Sequence, residues 1–129
     1  MRQGVVSCSP DTTIRDAARM MVTAGVRALV VTDGECGLVG IVSQTDLVGA
    51  TLVRPNVHYW DGLRVRDVMT AQVVTVTPDV KLEDAARMLV EGRIHRLVVV
   101  SSDEPCRPIG VLSMGDIVRD LILDLDDEA

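Results

Sequence analysis

Phenylalanine is absent from this chain of 129 residues, and the aromatic side chains are limited to Tyr59 and Trp60. That scarcity argues against recognition of single-stranded nucleic acid by base stacking, which needs several exposed aromatic faces. Basic residues are also in deficit, 13 Lys and Arg against 19 Asp and Glu, for a net charge of −6. Phosphate backbones call for the opposite balance, so no nucleic-acid partner is expected, although a local basic cluster could still hold a small anion. The cysteines Cys8, Cys36 and Cys106 are far apart and form no CxxC pair and no Cys/His set. They predict free thiols in a reducing compartment and no metal site. No apolar run approaches the roughly 20 residues of a membrane span, and no basic-then-apolar leader opens the chain. A cytoplasmic protein without a membrane partner is the expectation. Nucleophile–base pairs, paired acids and a phosphate loop are missing too, and His58 and His95 stand in unrelated contexts, so neither enzyme activity nor a catalytic residue is predicted.

What the chain has is aliphatic and repetitive. Hydrophobic residues make up 47% of it, enough for a packed core. The register that sets Pro10 on Pro78 also sets DAARM (Asp16 to Met20) on DAARM (Asp84 to Met88), and Leu29-Val30-Val31 on Leu97-Val98-Val99. After a loop of unequal length, GIVSQTD (Gly40 to Asp46) falls on GVLSMGD (Gly110 to Asp116). Agreement through helix, strand and turn with a single gap signals an internal duplication.

Each copy reads as strand, helix, strand, strand, helix, an α/β (α+β) unit. A β-branched run (Val5-Val6; Val73 to Val76) leads to a Pro-Asp turn. Helices are predicted from about Ile14 to Thr23 and Leu82 to Glu91, where Ile14, Ala17, Ala18, Met21 and Val22 recur at helical spacing, as do Leu82, Ala85, Ala86, Leu89 and Val90. Thr13 with Asp16 resembles a capping box, and Gly25 and Gly92 sit where helices end. Strands follow at Ala28–Thr32 and Leu97–Val100, then at Leu38–Val42 and Ile109–Leu112. A second helix opens at Ser43 and at Ser113. One copy alone would leave its Val/Leu strands wet, so the two are expected to pack sheet to sheet. The expected bounds are 1–48 for the first repeat, 49–66 for a linker turning at Pro55 and Asn56, 67–123 for the second repeat, and 124–129 for a frayed acidic tail. Tyr59 and Trp60 in the linker are read as a hydrophobic plug or a dimer contact.

The residues VRDVMT (Val65 to Thr70), VTVTP, DAARMLVEGRIHRLVVV and GVLSMGDI together resemble the CBS-domain family, which includes the nucleotide-sensing γ subunit of AMP-activated protein kinase. The resemblance covers nearly the whole chain, in both copies. It implies a tandem pair, a Bateman module, arranged around a pseudo-two-fold axis, with an adenine nucleotide or related adenosyl compound (AMP, ADP, ATP) as regulatory ligand rather than catalytic cofactor. It further implies a homodimer formed through the helices and a regulated protein that reads the ligand state. In the family a lead-in like VRDVMT precedes each repeat and lines one ligand site. Met1 falls on Met69, so the first copy starts within its own lead-in, and an upstream segment is the expectation.

Two readings stand open for Ser43-Gln44-Thr45-Asp46 and Ser113-Met114-Gly115-Asp116. A Ser followed three residues later by an acid caps a helix. The same helix N-terminus also suits an anion, and a carboxylate can accept from both hydroxyls of a ribose. By resemblance, this Asp holds ribose and the hydroxyls contact phosphate. Ile94-His95-Arg96 is either a polar strand entrance facing solvent or, as in the family, a phosphate-facing set in which Arg supplies a planar fork. The first copy offers Val26-Arg27 there. The resemblance draws each cleft from both copies. A principal site would combine Ser43, Thr45 and Asp46 with Val73, Ile94, His95 and Arg96. A weaker second site would combine Ser113 and Asp116 with Val5, Val26 and Arg27, with Gly115 replacing a hydroxyl. The alternatives are a dimerising scaffold with empty clefts and a regulatory piece of a larger enzyme or transporter.

Overall fold

A computed structural model describes residues 2–3, 5–34, 37–53 and 62–128, with side chains left out at 2–3, 53 and 124–128. Cys36, Pro55, Asn56, His58, Tyr59 and Trp60, which the sequence singles out, lie outside the described residues. The elements run β1 (Arg2–Gln3), β2 (Ser7–Cys8), α1 (Ile14–Ala24), β3 (Ala28–Thr32), β4 (Leu38–Ser43), α2 (Gln44–Val53), α3 (Val65–Val68), β5 (Thr75–Val76), α4 (Leu82–Gly92), β6 (Arg96–Val100), β7 (Pro108–Ser113) and α5 (Met114–Glu128). The predicted mixed α/β order is present in both copies. The first strands begin two residues later than the β-branched runs suggest, at Ser7 and Thr75, where parallel pairing with Val30 and Val98 starts. The acidic end, expected to fray, continues the backbone of α5 as far as Glu128.

The chain divides into two compact units. The N-terminal unit, Val5–Val73, holds the sheet β2-β3-β4, with β2 parallel to β3 and β3 antiparallel to β4. Its core gathers Ile14, Ala17 and Met21 of α1, Leu29 and Val31 of β3, Val42 of β4, and Leu47 and Ala50 of α2. Ile14, Ala17 and Met21 are positions the helical spacing selects, whereas Val22, on the same spacing, is exposed at the edge of that face. Helix α1 starts at Thr13, whose hydroxyl accepts from the Asp16 N–H at 3.1 Å. It stops at Gly25, held in the left-handed region at φ 66°, where glycine carries no Cβ penalty.

The C-terminal unit comprises β1 together with the chain from Val74 onward, and its sheet runs β1-β7-β6-β5. Val76, Ala85, Leu89, Leu97, Val99, Leu112 and Ile117 form its core. Helix α4 runs through Gly92 and ends on Arg93, which adopts the left-handed conformation at φ 53° and ψ 42°. The stop is therefore one residue beyond the expected glycine. Arg93 occupies the place of Gly25 and is the only described non-glycine residue at positive φ.

Each unit borrows the lead-in that the sequence assigns to the other copy. Gln3 and Arg2 pair antiparallel with Gly110 and Val111 of β7. Thr70 bridges Ile41 of β4, with its N–H donating to the Ile41 carbonyl at 2.9 Å and its carbonyl accepting at 3.0 Å. Upstream of Thr70, residues 62–69 form a strap on the N-terminal unit. The Val65 N–H donates to the Thr12 carbonyl at 2.8 Å, the Arg66 N–H to Pro10 at 3.0 Å, and the Ile14 N–H to the Leu63 carbonyl at 3.2 Å. Val65 is fully buried among the core residues, which contributes about 1.5–2 kcal/mol for a valine side chain. Arg66 pairs with Asp11, and the Arg64 guanidinium donates to the Asp11 carbonyl at 2.9 Å.

Among the described cysteines, Cys8 is a free, buried thiol that burial pushes up to a pKa of about 11. Cys106 is disulfide-bonded. That corrects the expectation of free thiols, because separation along the chain does not bar two residues from meeting once the fold brings them close. Among the described residues no helix is long and apolar enough to cross a membrane.

Candidate functional site

Ser43 ends β4 and caps α2, and the turn is closed by reciprocal hydrogen bonds. The Asp46 carboxylate accepts from the Ser43 N–H at 2.8 Å and from its hydroxyl at 3.0 Å, while the Asp46 N–H donates back to Ser43 Oγ at 3.2 Å. Ser113 and Asp116 repeat the arrangement at 2.8, 3.0 and 3.3 Å at the start of α5. The capping reading is therefore correct for both boxes. It leaves the ligand reading open, because the capping bonds to each Asp carboxylate use one oxygen, Oδ2.

The other oxygen separates the two copies. Asp116 Oδ1 accepts from the Arg119 guanidinium at 3.3 Å. In the first copy Gly49 stands where Arg119 does, and Asp46 Oδ1 has no partner among the described residues. One turn thus presents an uncommitted, half-exposed carboxylate oxygen beside a helix N-terminus. The spacing of Asp116 and Arg119, three apart on a helix, could have disclosed this difference from the sequence.

Strand register sets the basic residues beside these boxes. Ala28 pairs with Ser43, and the Arg27 carbonyl accepts from the Gln44 N–H at 2.9 Å. Arg96 pairs with Ser113, and the His95 carbonyl accepts from the Met114 N–H at 3.3 Å. Within the N-terminal unit, then, Arg27 adjoins Ser43 and Asp46. Within the C-terminal unit, His95 and Arg96 adjoin Ser113 and Asp116. Both sets of residues read from the sequence draw on both units. Val5, Val26, Arg27, Ser43, Thr45, Asp46 and Val73 belong to the first unit, and Ile94, His95, Arg96, Ser113 and Asp116 to the second.

Arg27, Thr45 and His95 are exposed, and Arg96 is half-buried. Val26 and Ile94 pack against the cores of their own units, and their N–H groups close the ends of α1 and α4 on Met21 and Leu89 at 3.0 and 3.1 Å. Val5 and Val73 are half-buried, each just before the residue whose carbonyl (Val6 or Val74) accepts from β3 or β6. A Cβ added at Gly115 would meet only Ser113 Oγ at 3.7 Å, so the second box lacks a hydroxyl without excluding one.

Comparison with known proteins identifies the family. The family profile described as CBS domain matches residues 1–52 and 65–123. The plastid protein CBSX2 of Arabidopsis thaliana is 33% identical over 92% of the chain. Inosine-5'-monophosphate dehydrogenase of Methanocaldococcus jannaschii is 33% identical over 89% of it. The chain spans 59% of the plant protein and 21% of the dehydrogenase. Among solved structures, CBSX2 in complex with AMP superposes with a TM-score of 0.72 at 33% identity, covering 92% of this chain and 88% of that one. A signal-transduction protein with CBS domains from Burkholderia ambifaria gives 0.79 at 28% identity, covering 93% and 84%. With two family matches, a duplicated order of elements and paired Ser-x-x-Asp helix starts, the chain belongs to the CBS-domain family as a tandem pair, a Bateman module.

Proposed function

We propose that this module is a non-catalytic, cytoplasmic sensor of adenine nucleotides, with Ser43, Thr45, Asp46, Val73, Ile94, His95 and Arg96 as the residues of its principal site. The single observation that carries this reading is the asymmetry of the two carboxylates. Asp46 keeps Oδ1 uncommitted and can accept from a ribose diol while still capping α2, whereas Arg119 occupies the corresponding oxygen of Asp116. His95 and Arg96 supply two potential cations for phosphate where the first copy offers Arg27 alone. The relative solved with AMP favours AMP as the first ligand to test. Ligand binding shifts the geometry of the pair, and a regulated partner reads that shift.

The module acts as a homodimer. Val22, Val48 and Leu52 of the first repeat are exposed, and so are their counterparts Val90, Val118 and Ile122 in the second. The same three apolar positions open on the helices of both copies, as a self-complementary helical interface requires. A thermal-shift panel of AMP, ADP, ATP, S-adenosylmethionine and NAD tests the sensor reading. A ligand at about 100 times its dissociation constant adds about 2.7 kcal/mol of stability. No shift with any of the five would favour the scaffold with empty clefts instead.

A further inference from the structure

The two Ser-x-x-Asp boxes cap their helices alike and differ in what surrounds the carboxylate. Their bonds to Oδ2 measure 2.8 and 3.0 Å in both copies, and the return bond to the serine hydroxyl 3.2 or 3.3 Å. In the first copy Thr45 precedes the aspartate and Gly49 follows it by three. In the second copy those places hold Gly115 and Arg119. Neither residue takes part in the capping bonds, so capping does not account for the change.

The sequence Asp-x-x-Arg occurs three times on the helices, and only one instance closes. Arg19–Asp16 and Arg87–Asp84 stand 4.0 and 3.9 Å apart, with all four side chains well exposed. Such surface pairs contribute little. Arg119 reaches Asp116 Oδ1 at 3.3 Å, and this carboxylate is only 13% exposed. The guanidinium therefore sits on the one oxygen that capping leaves over, the oxygen that Asp46 keeps uncommitted among the described residues. Gly115 withdraws a second polar group, because Thr45 presents an exposed hydroxyl at the matching place. Crowding does not require the glycine: a Cβ added there meets only Ser113 Oγ, at 3.7 Å.

We propose that Arg119 is an autoinhibitory latch on the second box, and that Gly115 and Arg119 together hold that box below the first in affinity for nucleotide. The inference rests on the adenine-nucleotide reading above and adds to it the residues that make the pair uneven. A ribose hydroxyl bonding Asp116 Oδ1 must first displace the guanidinium. An ion pair with one exposed partner weakens binding by up to about fivefold. The missing hydroxyl removes one hydrogen bond, again about fivefold. The two effects together set the boxes about 25-fold apart, so one nucleotide per chain binds strongly. The Arg119 side chain is 67% exposed, so it swings away from Asp116 without unfolding α5.

Calorimetric titration of AMP into the parent chain, Arg119→Ala, Gly115→Thr and the double variant tests the latch. The parent should show one strong event. Arg119→Ala should strengthen a second event about fivefold, and the double variant about 25-fold. Asp116→Ala introduced into the double variant should remove that second event and spare the first. A gain of binding is a readout that structural damage cannot imitate. Variants that bind AMP with the parent's stoichiometry and affinities overturn the proposal. So does a parent that already binds two AMP molecules equally well. Loss of AMP binding in Arg119→Ala would make the guanidinium a ligand contact, which also removes the latch. The parent titration reads the sensor proposal separately. If the parent binds no AMP while the double variant binds it through Asp116, the latch stands and the Asp46 site falls. If neither binds, both fall.

Discussion

Replacing Asp46 with alanine should destabilise the protein even with no nucleotide present. The carboxylate holds the Ser43 N–H and hydroxyl at 2.8 and 3.0 Å, and Ser43 is buried at 9% exposure. Truncation leaves that N–H without its charged acceptor and removes a negative charge from the first turn of α2. Hydrogen bonds to a charged group contribute about 1.5–3 kcal/mol, and a cap about 1 kcal/mol. Because they share one geometry, the combined loss is roughly 2–3 kcal/mol rather than their sum. For a chain of this size that lowers the melting temperature by about 6–9 °C. Asp46→Asn retains a carbonyl acceptor and should cost about half as much. Urea denaturation of the two single variants, of Ser43→Ala and of the double variant measures both the loss and the coupling, expected near 1 kcal/mol. If Asp46→Ala unfolds within about 0.5 kcal/mol of the parent, the box does not hold the helix start and the reasoning fails.

Arg93→Gly relieves a left-handed arginine at φ 53° and should stabilise by about 0.5–1 kcal/mol in the same denaturation assay, after the entropy cost of glycine is subtracted; a loss of stability would show that the arginine side chain matters more than its backbone. Gly40→Ala puts a Cβ 2.8 Å from both Met69 Sδ and the Thr70 carbonyl, so it should cost about 1–3 kcal/mol and speed amide exchange at Ile41 and Thr70 first. The folded Cys8 thiol holds its proton up to about pH 11 against 9.0 when free. The folded state therefore binds more protons between those values, and the stability this contributes is whole below pH 9 and lost as pH rises through 11. The stability difference between the parent and Cys8→Ala should shrink by roughly 2 kcal/mol across that window, and Cys8 should resist thiol reagents at neutral pH until the chain unfolds.

Much of the fold could be read from the sequence because its signals are local and occur twice. The apolar spacing of Ile14, Ala17 and Met21, the continuous apolar run from Leu29 to Val31, and the Ser-x-x-Asp turns are each complete within a few residues. The lead-ins were harder. Nothing within VRDVMT says that Thr70 pairs with Ile41, or that Arg2 pairs with Val111, because strand partners are chosen by tertiary contacts. The end of α4 falls on Arg93, one residue past Gly92, so a glycine near a helix end does not by itself mark the cap. For the candidate site, the residue types were legible and so was the capping geometry. The engagement of Asp116 by Arg119 lies one turn beyond the Ser-x-x-Asp pattern, where the two copies differ.

Calorimetric titration of AMP into matched variants of the two boxes tests the central claim most directly. Asp46→Ala and Asp116→Ala remove the same capping bonds, so each controls for the other's structural damage. The account predicts that AMP binds the parent chain, that Asp46→Ala reduces its affinity at least about tenfold, a loss of about 1.4 kcal/mol, and that Asp116→Ala leaves the principal event in place. Binding that survives Asp46→Ala and disappears with Asp116→Ala would contradict it.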